Sequence, residues 1–186
     1  NTTYYNQLDI AISLGARHER SETRESDEVY RTVAGFVNSW DATDHDTYNN
    51  DRNNTAFNIG IEKGVNKNLS IYGSYSESFR IPNIDEHIKA TTSGNFHLED
   101  QESDGIEIGL LYQNDQIDVN ASYYNMDTKN EIQYNQSVNT NLDPIERQGI
   151  NIDLNYKIDE KQKIMSSFNF TEAEFTSGTL TPGSGG

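Results

Sequence analysis

The chain is expected to fold as an all-β protein, an antiparallel up-and-down meander that forms part of a transmembrane β-barrel. Three observations point there. Apolar residues recur at every second position in seven separate segments, the period of a strand with unlike faces. No segment shows a comparable helical period, and no run of about 18 apolar residues could form a membrane-crossing helix. The connections between segments are alternately short and long, as in a barrel whose turns gather at one end and whose loops gather at the other.

In the first segment Leu8, Ile10, Ile12, Leu14 and Ala16 share one face, with Asp9, Ala11, Ser13, Gly15 and Arg17 on the other. The second sets Phe57, Ile59 and Ile61 against Asn58, Gly60 and Glu62. The third opposes Leu69, Ile71, Gly73 and Tyr75 to Ser70, Tyr72, Ser74 and Ser76. Ile106, Ile108, Leu110 and Tyr112 then face away from Gly105, Glu107 and Gly109. Ile117, Val119, Ala121 and Tyr123 oppose Asp118, Asn120, Ser122 and Tyr124. Ile150, Ile152, Leu154 and Tyr156 oppose Gly149, Asn151, Asp153 and Asn155. The last segment carries Ile164, Ser166, Phe168 and Phe170, with Asn169 and Thr171 behind.

Residues 64–68, 113–116 and 157–162 read as short polar hairpin turns, and 21–53, 81–102 and 127–147 as long connections. A strand of about 11 residues rising about 3.3 Å each and tilted about 40° spans roughly 28 Å, near the hydrocarbon thickness of a bilayer. Tyr75, Tyr112, Tyr123 and Tyr156 sit toward strand ends on the apolar face. They suit an interfacial aromatic belt, although ordinary β-propensity favours tyrosine too. Glu62, Glu107, Asp118 and Asp153 fall at mid-strand on the opposite face. An unpaired carboxylate in a dry core would cost several kcal/mol. A hydrated lumen or the solvated face of a soluble sheet tolerates it equally well.

Composition narrows the classes. Only 33% of the chain is hydrophobic and mean hydropathy is -0.84, which fits either disorder or a two-faced β-structure. Eleven Tyr and seven Phe argue for the second, because disordered chains are short of aromatics. A net charge of -16 excludes nucleic acid as an expected partner. The absence of cysteine rules out disulfides and thiolate chemistry. Asn1 opens without a charged, then apolar leader, and the end at Thr181-Pro-Gly-Ser-Gly-Gly186 has loop character. The expectation is a piece of a longer precursor.

Several phrases occur in a telling order. The third strand ends Tyr75-Ser-Glu-Ser-Phe-Arg-Ile-Pro-Asn-Ile-Asp-Glu86; Leu98-Glu-Asp-Gln-Glu-Ser-Asp-Gly-Ile-Glu-Ile-Gly109 follows. Gln148-Gly-Ile-Asn-Ile-Asp-Leu-Asn-Tyr156 and Phe168-Asn-Phe-Thr-Glu-Ala-Glu-Phe175 come after. Together they resemble the barrel of a TonB-dependent outer-membrane receptor: its Phe-Arg-x-Pro-Asn region, its Leu-x-Pro-Glu strand ending Glu-x-Gly, its Gly-x-Glu strand and its Tyr-Thr-x-x-x-Ala segment. Asp100 replaces the usual proline, and Asn151 stands where an acid is common. The resemblance runs from about Leu8 onward and implies about a third of a 22-stranded barrel. On that view residues 1–186 are a fragment of the barrel domain, without plug, TonB box or terminal aromatic strand.

The resemblance implies a receptor in the cell outer membrane that takes up a scarce nutrient such as an iron-siderophore. Its partners would be the TonB energy-transducing complex, through the missing plug, and outer-membrane lipid. It also implies that Arg80 points inward and pairs with plug or loop carboxylates; the residues alone equally allow an exposed cation at a strand end. Arg80 is also a ligand-binding candidate, with Trp40, Tyr48 and Tyr134 as candidates to offer rings to an extracellular ligand, since loops carry recognition on such scaffolds. His87 and His97 lie after the Phe-Arg box, but the second box of the family's haem receptors is missing, so they read as exposed loop histidines. Asp41, Asp44, His45, Asp46 and Asp51 lack the spacing of a Ca²⁺ loop and read as a hydrated acidic loop. No metal or cofactor is expected, and no catalytic motif supports an enzyme. The alternative to the receptor is a soluble or secreted β-sheet binding module with long acidic loops; a glycan-active enzyme on a β-scaffold comes third.

Overall fold

The computed structural model describes residues 2–5, 9–26, 30–33, 36–40, 47–83, 86, 98–135 and 138–176. They form twelve strands: β1 (Thr2–Tyr5), β2 (Ile10–Ser26), β3 (Tyr30–Val33), β4 (Phe36–Trp40), β5 (Thr47–Asn66), β6 (Leu69–Arg80), β7 (Gln101–Gln113), β8 (Ile117–Lys129), β9 (Ile132–Asn135), β10 (Val138–Asn141), β11 (Ile145–Lys157) and β12 (Lys163–Phe175). Eight of them make one antiparallel sheet in the order β1-β2-β5-β6-β7-β8-β11-β12, while β3-β4 and β9-β10 are separate hairpins. Every neighbour in the large sheet is also the next large-sheet strand along the chain, so the topology is the expected meander.

All seven strands read from the sequence are present, as β2, β5, β6, β7, β8, β11 and β12. The expected boundaries need correction in two places. Residues 21–53 and 127–147 are not plain loops: β2 and β5 run on into the first, which also holds β3 and β4, and β9 and β10 occupy the second. The outer part of β5, Thr-Tyr-Asn-Asn-Asp-Arg-Asn-Asn-Thr, is polar on both faces and shows no apolar alternation. A ladder of backbone hydrogen bonds does not require any. β1 went unread for the same reason, being four residues with no alternation.

Register turns the alternation of single strands into rows across the sheet. One apolar row runs Ile61, Gly73, Ile108, Tyr123, Ile150, Phe170. The next contains Ile71, Leu110, Ala121, Ile152 and Phe168. The polar face answers with Glu62, Tyr72, Gly109, Ser122, Asn151, Asn169, and with Gly60, Ser74, Glu107, Tyr124, Gly149, Thr171. A slip of one residue in any strand would exchange its faces, so the pattern excludes odd slips, and the short turns set the remaining choice.

Nothing seals the apolar rows into an interior among the described residues. Ile108 is 59% exposed and Phe168 57%, whereas the buried hydrophobics are Ala56, Leu98 and Ile145. Leaving one such side chain in water forgoes about 1.5–3 kcal/mol. Repeated along the rows, that exceeds the roughly 5–15 kcal/mol by which a domain is stable. The sheet therefore needs an apolar cover on this face.

The three short turns share one device. Asn66 Oδ1 accepts from the Asn68 and Leu69 amides at 2.9 and 3.1 Å. Asn114 Oδ1 accepts from Gln116 and Ile117 at 2.9 and 2.8 Å, and Asp159 Oδ1 from Lys161 and Gln162 at 2.7 and 2.9 Å. Each side chain mimics a backbone carbonyl and closes its turn in a few residues. The chain divides into two compact units, residues 1–17 with 56–186 and residues 18–55. The smaller comprises residues 18–26 of β2 and 47–55 of β5 with the β3-β4 hairpin, and in it His18 Nδ1 lies 2.9 Å from Thr55 Oγ1.

Candidate functional site

The polar face of β6, β7, β8 and β11 is built from cross-strand pairs of tyrosine and glycine. Tyr72 stands opposite Gly109 and Tyr124 opposite Gly149. A β-carbon on Gly109 would come within 2.5 Å of Tyr72 Cζ, and one on Gly149 within 2.8 Å of Tyr124 Cε1. Each ring therefore lies flat over the neighbouring strand, where only glycine leaves room. The hydroxyls reach further still. Tyr72 donates to Glu107 Oε1 at 2.7 Å and to Asn120 Oδ1 at 3.3 Å, and Tyr124 shares a hydrogen with Thr171 Oγ1 at 2.7 Å. Ser74, Ser76, Ser78, Ser103, Glu107 and Tyr124 help to line a hollow of about 210 Å³ on this face. Ser103 is hydrogen-bonded to Thr128, which is only 2% exposed.

Beyond the outer end of β6 the chain is tied in a compact knot. Arg80 pairs with Glu86. The Asn83 amide donates to Glu86 Oε2 at 2.9 Å and the Glu86 amide to Asn83 Oδ1 at 2.9 Å, a reciprocal capping box. Pro82, without an N–H, is buried at its centre and ends the ladder. Phe79 carries the Arg17 guanidinium 4.6 Å from its ring centroid.

Strand β10 holds both ends of the connection that follows. Asn139 and Asn141 lie two apart, on one side of the strand. Asn139 Nδ2 donates to the Glu86 carbonyl at 2.9 Å. The Asn141 carboxamide accepts from the Glu99 amide at 2.8 Å and donates to the Glu99 carbonyl at 3.1 Å and the Asn130 carbonyl at 2.7 Å. It thus copies a strand partner for Glu99. Asn130, with φ 56°, takes the left-handed turn that asparagine tolerates, and its Nδ2 reaches the Asp100 carbonyl at 3.3 Å. Arg147 pairs with Glu131 at 2.6 Å below this cluster.

The residues expected to bind ligand are placed as follows. Arg80 is engaged by a carboxylate of its own loop, Glu86, with its side chain 46% exposed. Tyr134, in β9, is 59% exposed. Trp40 ends β4 and Tyr48 belongs to β5, both in the 18–55 unit, and their side chains fall outside the described residues. His87, His97, Asp41, Asp44, His45 and Asp46 also lie outside the described residues, while Asp51 is exposed in β5. Among the described residues no group of three acids or histidines could hold a metal ion. Sequence reasoning overlooked Asn139 and Asn141. It could have found the Asn83-x-x-Glu86 capping box from its spacing.

Comparison with known proteins decides the family. A family description reading "TonB dependent receptor-like, beta-barrel" matches residues 1–185. The chain belongs to the TonB-dependent receptor β-barrel family. No curated sequence relative matches it. Among solved structures it resembles the ferric-catecholate import receptor Fiu of E. coli K12, with TM-score 0.70, 16% identity, 95% of this chain and 27% of that one covered. It also resembles the ferric yersiniabactin uptake receptor FyuA of Yersinia pestis (0.68, 14%, 94% and 26%) and the copper transporter OprC (0.69, 17%, 94% and 27%). The chain thus spans about a quarter of the length of these receptors. As part of a TonB-dependent receptor barrel, its apolar rows form the lipid face and its Tyr72–Glu107 rows line the lumen. The family consists of receptors and transporters, not enzymes.

Proposed function

We propose that this chain is the wall and part of the mouth of an outer-membrane receptor that imports a scarce nutrient such as an iron-siderophore, driven by TonB. On this reading residues 1–186 supply about a third of the barrel. The plug, the TonB contact and the remaining strands come from the rest of the parent. The observation that carries the reading is the barrel-family match over residues 1–185 of a sheet whose apolar rows lie uncovered.

In this account, outer segments capture the ligand, and Trp40, Tyr48 and Tyr134 are each, separately, candidates to offer it a ring. Arg80 acts indirectly, by fixing the β6–β7 knot through Glu86. Once the plug shifts, the ligand passes a lumen wall of serine, tyrosine and amide groups that exchange hydrogen bonds without gripping. The solved receptors for ferric catecholate and ferric yersiniabactin make a ferric chelate the first class to test.

The test is uptake of a radio-iron-labelled siderophore panel by cells expressing the full-length receptor, with and without TonB. Accumulation that requires both proteins is expected. Equal accumulation in cells lacking the receptor, across iron and copper chelates, would contradict the proposal.

A further inference from the structure

One place on the lipid face is not flat. At β2, β5 and β6 a groove of about 450 Å³ is lined by Leu14, Ala16, Phe57, Ile59 and Tyr75, with Gly15 and Asn58. The Gly64 amide bonds the Asp9 carbonyl at 2.9 Å, and a β-carbon on Gly60 would meet Ser13 Oγ. These two contacts set β2 against β5 so that Leu14 stands beside Ile59 and small Ala16 beside Phe57. Ile59 is in turn paired with Tyr75. Large side chains therefore stand around a methyl group, and the gap between them is the groove.

Its outer end is polar. The β5–β6 ladder stops at the Asn58–Ser76 pair, and just above it Glu77 takes over. The Glu77 carboxylate accepts from the Phe57 amide at 3.3 Å and from the Tyr75 hydroxyl at 2.9 Å. At the same level the outward positions turn acidic across the sheet: Glu77, Asp104, Asp127, Glu146 and Glu174 lie in one register row. The groove is thus apolar within the lipid belt and capped where the belt ends.

We infer that this groove holds the acyl chain of a membrane lipid, with its head group beside Tyr75 and Glu77. Three features select this occupant. The groove is continuous with the lipid face. Its lining is aliphatic and aromatic apart from Asn58, which pairs with Ser76 and by strand alternation belongs to the opposite face. Its polar limit coincides with the outward row at which the apolar belt stops. A partner protein strand would need unpaired backbone at the site, but β5 lies between β2 and β6, Ile59 is paired with Tyr75, and the Phe57 amide is taken by Glu77. The inference rests on the receptor reading, because it needs the apolar face to lie in a bilayer.

The test uses the full-length receptor in mild detergent with added phosphatidylethanolamine, counting retained lipid by native mass spectrometry. Ala16→Trp fills the groove and is expected to lower the lipid-bound fraction several-fold, whereas Ala121→Trp, on the same face but outside the groove lining, leaves it unchanged. Should Ala16→Trp fail to fold, as judged by heat-shifted gel mobility, Leu14→Asn is expected to give the same loss. Equal retention in wild type and groove variants, equal loss in the Ala121→Trp control, or displacement of lipid by a second receptor copy would overturn the inference. A receptor that stays monodisperse without detergent would instead overturn the membrane reading itself.

Discussion

The barrel wall and the mouth above it are held by different forces. Across the wall, strands β6, β7, β8 and β11 are joined by long unbroken ladders, and side chains mainly assign the faces. In the mouth, irregular backbone is held by side chains: Asn139 and Asn141 grip Glu86 and Glu99, and Arg80 and Arg147 close ion pairs. A wall built on ladders depends on its surroundings and tolerates change on its wet face. A mouth built on single amide groups depends on particular residues.

The largest effect should come from inverting one face of the wall. Ile108→Lys puts a charge mid-row in the lipid belt and is expected to cost about 2–4 kcal/mol in urea unfolding of the vesicle-reconstituted receptor. Glu107→Gln, one residue away on the lumen face, keeps an acceptor for Tyr72 and should cost under about 1 kcal/mol. Similar losses in both would break the comparison.

Gly109→Ala comes next, because the added methyl meets the Tyr72 ring, for a loss of about 1–3 kcal/mol by overpacking. Tyr72→Ala in the same chain should restore part of it. A double-mutant cycle showing no coupling would mean the ring does not lie over that glycine.

Asn141→Ala should act locally rather than globally. It leaves the Glu99 amide and carbonyl without their side-chain partner, a loss of about 1–3 kcal/mol for whatever stays buried. Hydrogen exchange is the proper readout: the Glu99 amide should exchange faster while β7 and β8 stay protected. Smallest is Arg80→Ala, about 1 kcal/mol or less for an exposed ion pair. Its trace should be faster exchange at the Asn83 and Glu86 amides with unfolding unchanged.

The same contrast explains how much could be read from the sequence. The wall was legible because two-fold alternation is a direct consequence of strand geometry, and Ile106-x-Ile108-x-Leu110 states it outright. Register was not read: alternation excludes slips of one residue, but the turns choose among the even ones. The mouth was scarcely legible. Asn139 and Asn141 look like any polar loop residues, and their partners lie 53 and 42 residues away. Polar stretches such as residues 47–55 of β5 hid for a related reason, being part of a strand but without an apolar signal. Arg80 was singled out through the family phrase, while its partner Glu86 could have been found locally from the Asn-x-x-Glu spacing.

The measurement that bears most directly on this account is a spin-label scan of β8. The chain has no cysteine, so single substitutions at positions 117–124 of a cysteine-free full-length receptor in lipid vesicles can each carry a nitroxide. Labels at Val119, Ala121 and Tyr123 should relax with dissolved oxygen, and those at Asp118, Asn120 and Ser122 should shun oxygen and face the lumen side. Oxygen accessibility without that two-residue alternation would contradict it.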